Sequence, residues 1–133
     1  MIALLSSALT VDGGDLDGLN KAVAACDRGV VSRAAADEAA RHGAFLVSSF
    51  AEQQAIAAAR ADLAERRRRM RGVVQTAVNG KPTDTDAALV AAEKDVEDRQ
   101  QALDDARGLD RAKSDAVGWF RQLYISRCPG KGA

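Results

Sequence analysis

At 133 residues, with 19 basic and 19 acidic side chains and no net charge, the chain fits one domain. It lacks the basic field on which binding to nucleic acid or to an anionic membrane surface rests. Apolar residues make up 47% but aromatics only 4%, and much of the rest is alanine, the best helix former and a poor core filler. Long helices are therefore expected ahead of a thick core, and no run approaches the roughly 20 apolar residues that cross a bilayer.

Residues 1–14 read as a separate segment. The apolar run Ile2–Leu5 is followed by Ser6, Ser7 and Ala8, a small-x-small pattern of the kind cleaved after an export signal. A remnant of such a signal is the expectation here, with a mature chain beginning near Leu9. Residues 15–133 are expected to form a single helical-hairpin domain.

Leu16, Leu19, Val23 and Cys26 fall three, four and three apart, one narrow stripe of a short first helix. Asp12 or Asp15 can cap its start, and Gly29 is the natural left-handed residue at its end. Ser32 then caps a second helix. From Arg33 to about Val74 there is no proline, and the glycines are Gly43 and Gly72; at about 1.5 Å per residue this helix is roughly 60 Å long. Its clearest stripe is Ile56, Ala59, Leu63, Arg66, Met70 and Val73, with a wider apolar patch at Phe45, Leu46, Val47 and Phe50.

The strong punctuation inside the chain is "NGKPTDTD", residues 79–86. Asn79-Gly80 is a turn pair, Pro82 cannot continue a helix, and Thr83 with Asp86 approximates a capping box. A third helix runs from about Asp84 to Arg127 and stops at Pro129. Its stripe is Leu89, Ala92, Val96, Arg99, Leu103 and Ala106. At Gly108 the phase slips by one residue, and the stripe resumes through Leu109, Ala112, Ala116, Trp119 and Leu123. The fold class is therefore all-α: a long antiparallel two-helix coiled-coil hairpin, with the short first helix packed at its open end as a three-helix base.

Folding at the turn pairs residues whose numbers sum to about 160, and this register organises the remaining expectations. Cys26 and Cys128, the chain's two cysteines, meet at the open end and form a disulfide clamping the first helix to the end of the third; the alternative is two reduced cysteines packed as small apolar residues. Disulfides persist in oxidising compartments, which points to a periplasmic or secreted protein; a cytoplasmic one is the alternative. All five aromatics fall toward the base, with Trp119 near His42 and Gly43, and the base core reads as Leu19, Val23, Phe45, Phe50, Trp119, Phe120 and Leu123. The far end is a two-helix, alanine-rich arm. It offers Ile56, Leu63, Met70, Leu89, Val96 and Leu103 as a seam for a protein partner or for self-association. The run "ERRRRMR", residues 65–71, lies opposite Asp86, Glu93, Asp95, Glu97 and Asp98 and reads as register-setting ion pairs between the helices.

Other motifs carry no chemistry. "VAAC", residues 23–26, ends like a lipobox, but Asp12, Asp15, Asp17 and Lys21 occupy what would be its apolar signal. "GGDLDG", residues 13–18, lacks two anchors of a calcium loop. One histidine, His42, and two distant cysteines make no zinc set. His42 reads as packed near Trp119, with Ser48 and Ser49 bonded to their own helix backbone instead of serving as nucleophiles. Asp104 and Asp105 are adjacent and so diverge, and no phosphate-binding glycine loop is present. No catalytic, cofactor or metal site is expected. The functional expectation is a non-enzymatic, exported structural or protein-interaction module of the cell envelope. A periplasmic holdase-type chaperone is the alternative, and a binder of anionic ligands or nucleic acid through Arg66–Arg71 is a third reading.

Overall fold

The computed structural model describes residues 15–74, 84–128 and 130. The expected export signal at 1–14, the bend at 79–83 and the helix-stopping Pro129 lie outside these. Three helices follow in order: α1 (Asp15–Ala24), α2 (Arg28–Val74) and α3 (Asp84–Arg127). The long helices pack against each other as an antiparallel hairpin, and α1 lies at one end. Asp17 and Gly18 sit inside α1, so no calcium loop forms there.

The junction between α1 and α2 is tighter than the sequence suggests. Asp27 N–H donates to Ala22 O (2.9 Å) and Cys26 N–H to Val23 O (3.1 Å), the paired bonds of a Schellman cap. Its left-handed residue is Cys26, at φ 52°, not Gly29, which is the second residue of α2. Asp27 caps α2 in place of Ser32: its carboxylate accepts from Val30 N–H (3.2 Å) and its carbonyl from Val31 N–H (3.1 Å). Sequence reading favours glycine for a left-handed site because other residues are strained there by about 1–2 kcal/mol. Here a cysteine takes it, and its sulfur is bonded to Cys128 with 5.8 Å between the Cα atoms.

The chain packs as two compact units. The base unit comprises α1, α2 through Ser49 and α3 from Asp105; the arm unit comprises Phe50–Asp104. In the base, Leu19, Ala22, Val23, Val31, Val117, Tyr124 and Cys128 form one buried cluster, with Leu16, Phe120 and Leu123 half-buried against it. Phe45 is buried too. The expected base core is right at Leu19, Val23, Phe45, Phe120 and Leu123 and wrong at two aromatics: Phe50 and Trp119 are each 65% exposed, and Phe50 belongs to the arm.

In the arm, Ile56, Leu63, Leu89, Val96 and Leu103 are buried and Met70 half-buried. The row expected to face a partner is thus consumed within the chain. Each fully buried aliphatic contributes about 1.5–3 kcal/mol. Between these apolar layers lies a polar one. Glu52, 7% exposed, accepts from Arg99 Nη2 (2.7 Å) and Nε (2.9 Å), and Gln53 and Gln100 exchange amide hydrogen bonds.

The arginine run pairs mostly within its own helix. Arg66 meets Asp62, and both Arg68 and Arg69 meet Glu65; Arg67 reaches across to Glu93 and, earlier in α2, Arg60 to Glu97. Four consecutive arginines point around the helix, and only one is aimed at α3. All these pairs are largely exposed, each worth under about 1 kcal/mol.

Candidate interaction face and the polar layer behind it

In the base unit the buried row of α3 is Ala106, Asp110, Lys113, Val117, Tyr124 and Cys128. It runs past Gly108 with its three-four spacing unbroken, so no phase slip occurs there. Two of its members are charged, and that is why the apolar pattern hides it: the eye moves to the neighbouring row of Leu109, Ala112, Ala116, Trp119 and Leu123. That second row is real but lies outside. Leu109 is 54% and Trp119 65% exposed, Ala112 is exposed, and Ala116 and Leu123 are half-buried.

Behind the outer row sits a network of charges. Asp110, 4% exposed, accepts from Arg41 Nη2 at 2.8 Å and lies 2.8 Å from His42 Nδ1. Glu38, 8% exposed, accepts from Arg41 Nε (2.8 Å), from Arg41 Nη2, and from Ser114 Oγ (2.8 Å). The Arg41 hydrogen bonds hold the Glu38 carboxyl below its ordinary range; burial opposes this, and Ser114 and the positive charges of Arg41 and Lys113 assist it. Breaking such a layer on one side leaves a buried charge without its counterion, whereas replacing the whole layer by apolar groups is often neutral or stabilising. What the layer supplies is register. His42 meets Asp110, eight residues earlier than a sum of 160 requires, and not Trp119. Charged side chains that must find partners in the seam favour this register.

The layer has the makings of a His–Asp pair but no nucleophile. Ser48 and Ser49 donate to the carbonyls of Phe45 (3.1 Å) and Leu46 (3.2 Å), as expected of hydroxyls on a helix, and Ser114 is committed to Glu38. A cavity of about 600 Å³ opens beside the layer, with Glu38, Arg41 and Lys113 among apolar walls from Leu16, Leu19 and Val117. Of its charges, Glu38 and Arg41 already answer one another. Among the described residues no three His, Cys, Asp or Glu side chains gather as metal ligands, and no helix is long and apolar enough to cross a membrane.

Compared with known proteins, the chain matches no family model, no curated protein and no solved structure. The sequence shows the outer row as the stripe of α3, and Trp119, expected in the base core, lies outside it. The signal that could have separated the two rows is Tyr124: it lies seven residues beyond Val117 and fourteen beyond Asp110, and continues the inner row to Cys128.

Proposed function

We propose that this protein is a non-enzymatic helical interaction module of an oxidising compartment, the cell envelope in particular. It works by laying the outer row of α3 against a helix of a partner protein. The observation that carries this reading is the spacing of Leu109, Ala112, Ala116, Trp119 and Leu123. It is the heptad spacing of a helix-packing seam, present on a helix whose other seam is already occupied, and it leaves a tryptophan in water. Tryptophan is among the residues most often found to anchor interfaces. The Cys26–Cys128 bond supports the compartment and holds α1 and the end of α3 as one rigid mount for that face.

The test is site-specific photocrosslinking in the protein's own cell, with the crosslinker at position 119 and, as a control, at Val47, which is 73% exposed. The expected result is an adduct of defined mass from position 119 alone, lost when Leu109 is changed to Ser. An adduct of twice the chain's mass would identify a second copy as the partner. No adduct, or equal adducts from both positions, would refute the proposal. Intact mass with and without reductant on the same material tests the compartment. A holdase needs apolar surface on the arm, where the large described apolar residues left open are Phe50 and Val90. The arginine run is largely answered by its own acidic neighbours, which does not favour binding of nucleic acid through Arg66–Arg71.

A further inference from the structure

The base unit holds a second cavity, of about 300 Å³, lined by Val31, Ser32, Ala35, Ala36, Arg121, Tyr124 and Ile125. It is distinct from the polar layer and from the outer row of α3. Its chemistry is one-sided. Tyr124 is 3% exposed, and its hydroxyl is buried with no hydrogen-bond partner among the described residues. Buried polar atoms are nearly always paired, and an unpaired one carries a desolvation cost that the fold gains nothing by bearing. Arg121, in the same wall, makes no ion pair with any described residue, although the other half of the base is dense with them. Ser32 is a third hydroxyl or guanidinium donor on the rim, released from any capping role because Asp27 caps α2. Among the described residues no carboxylate lines the cavity. Tyr124, Arg121 and Ser32 thus line a space whose remaining walls are Val31, Ala35, Ala36 and Ile125, with the Tyr124 hydroxyl itself sealed from solvent.

We propose that this cavity binds a small apolar monocarboxylate. The aliphatic or aryl body rests on Val31, Ala35, Ala36 and Ile125. The carboxylate takes the guanidinium of Arg121 and the hydroxyl hydrogens of Tyr124 and Ser32. A neutral ligand would leave Arg121 unanswered, and a cation would meet donors only. Ligand pockets begin near this volume and show this pattern of apolar walls with few convergent polar groups. Because the Tyr124 hydroxyl is sealed from solvent, the ligand reaches it only once side chains on the cavity rim change rotamer, for exposed residues a motion of picoseconds to nanoseconds. The site is independent of the outer row of α3, so either proposal can fail alone.

Octanoate is the probe, titrated by calorimetry into the intact, oxidised protein, with 1-octanol as the uncharged control. The expectation is saturable binding with a Kd on the order of 0.1–1 mM, weakening as salt is raised because Arg121 is exposed. Octanol should bind at least about tenfold more weakly. Tyr124→Phe removes the hydroxyl and keeps the ring, and Arg121→Gln removes the charge at a surface position; each should weaken octanoate about tenfold. Tyr124→Phe should also hold or raise the urea midpoint without ligand, which separates loss of binding from loss of fold. Equal binding of octanol and octanoate, wild-type affinity in both variants, or no saturable binding at millimolar octanoate would each overturn the proposal. A normal urea midpoint with unchanged octanoate affinity in Tyr124→Phe alone would also sink it, since the orphaned hydroxyl is its starting point.

Discussion

Removing the disulfide tests how the base is held together. The Cys26–Cys128 bond spans 102 residues. In the chain-entropy model, closing a loop of about 100 residues lowers the entropy of the unfolded chain enough to stabilise the fold by about 4.7 kcal/mol at 25 °C. The double variant Cys26→Ser with Cys128→Ser should lose close to that amount. The structure adds a term that loop length does not contain. Cys26 sits at φ 52° in the Schellman cap, a conformation that serine tolerates poorly and glycine readily. The companion variant, Cys26→Gly with Cys128→Ser, should therefore recover roughly 1 kcal/mol of the loss. Urea unfolding followed by far-ultraviolet circular dichroism reads both numbers, and wild type in reductant gives the loss without any substitution. If the glycine and serine variants unfold at the same urea concentration, the cap does not hold position 26 in the left-handed region. If reduction costs under about 1 kcal/mol, α1 is not held to the base by this bond, and the rigid mount proposed for the outer row is gone.

Glu38 should make stability depend on acid. Its folded pKa lies below the ordinary value of 4.5, so its contribution is complete above about that pH and is lost as pH falls through the lowered folded value. Glu38→Gln should cost about 1–3 kcal/mol at neutral pH and flatten the fall in urea midpoint below pH 4.5. In the arm, Glu52→Ala should cost a similar amount by leaving Arg99 without its counterion. The double change Glu52→Leu with Arg99→Leu should instead be neutral or stabilising; a thermal melt of both separates the cases, and a double variant as weak as the single one would contradict the account of the polar layer. The chain's one tryptophan, Trp119, should fluoresce as a solvent-exposed indole in the isolated protein and shift to shorter wavelength only when a partner covers α3. An indole already shielded in the purified monomer would mean that the outer row is not open. Leu103→Ala, at a fully buried site, should cost about 2–5 kcal/mol, whereas Leu109→Ala, one row over, should stay within about 1 kcal/mol; equal costs would mean that the two rows had been exchanged.

Helix content was legible without tertiary structure because alanine richness, proline and caps act locally. α3 ends at Arg127 as the sequence suggests. The arm row from Ile56 to Leu103 was also legible, since its members are apolar at strict heptad spacing. Its destination was not. An apolar stripe says that something covers it, and only packing says whether the cover is α3 or another molecule. The base was harder for a definite reason. Its inner row passes through Asp110 and Lys113 on α3 and through Glu38 and Ser49 on α2, residues that a hydrophobicity pattern assigns to water. Asp110 bonds to Arg41 and His42 of α2, and Glu38 to Ser114 of α3, partners across the helices that no single segment contains. The outer row, being apolar, took their place in the reading, and Trp119 went inside with it.

The sequence by itself determined that the chain is helical, that it doubles back, and that Cys26 and Cys128 arrive at the same end, because these follow from local propensity and from a single bend. Tertiary structure decided which face of each helix is inside, since burial of a charge depends on a partner more than forty residues away. It also decided that a cysteine, not a glycine, turns the chain between α1 and α2: there the bond across 102 residues and the packing of Val23 outweigh a local preference of about 1 kcal/mol.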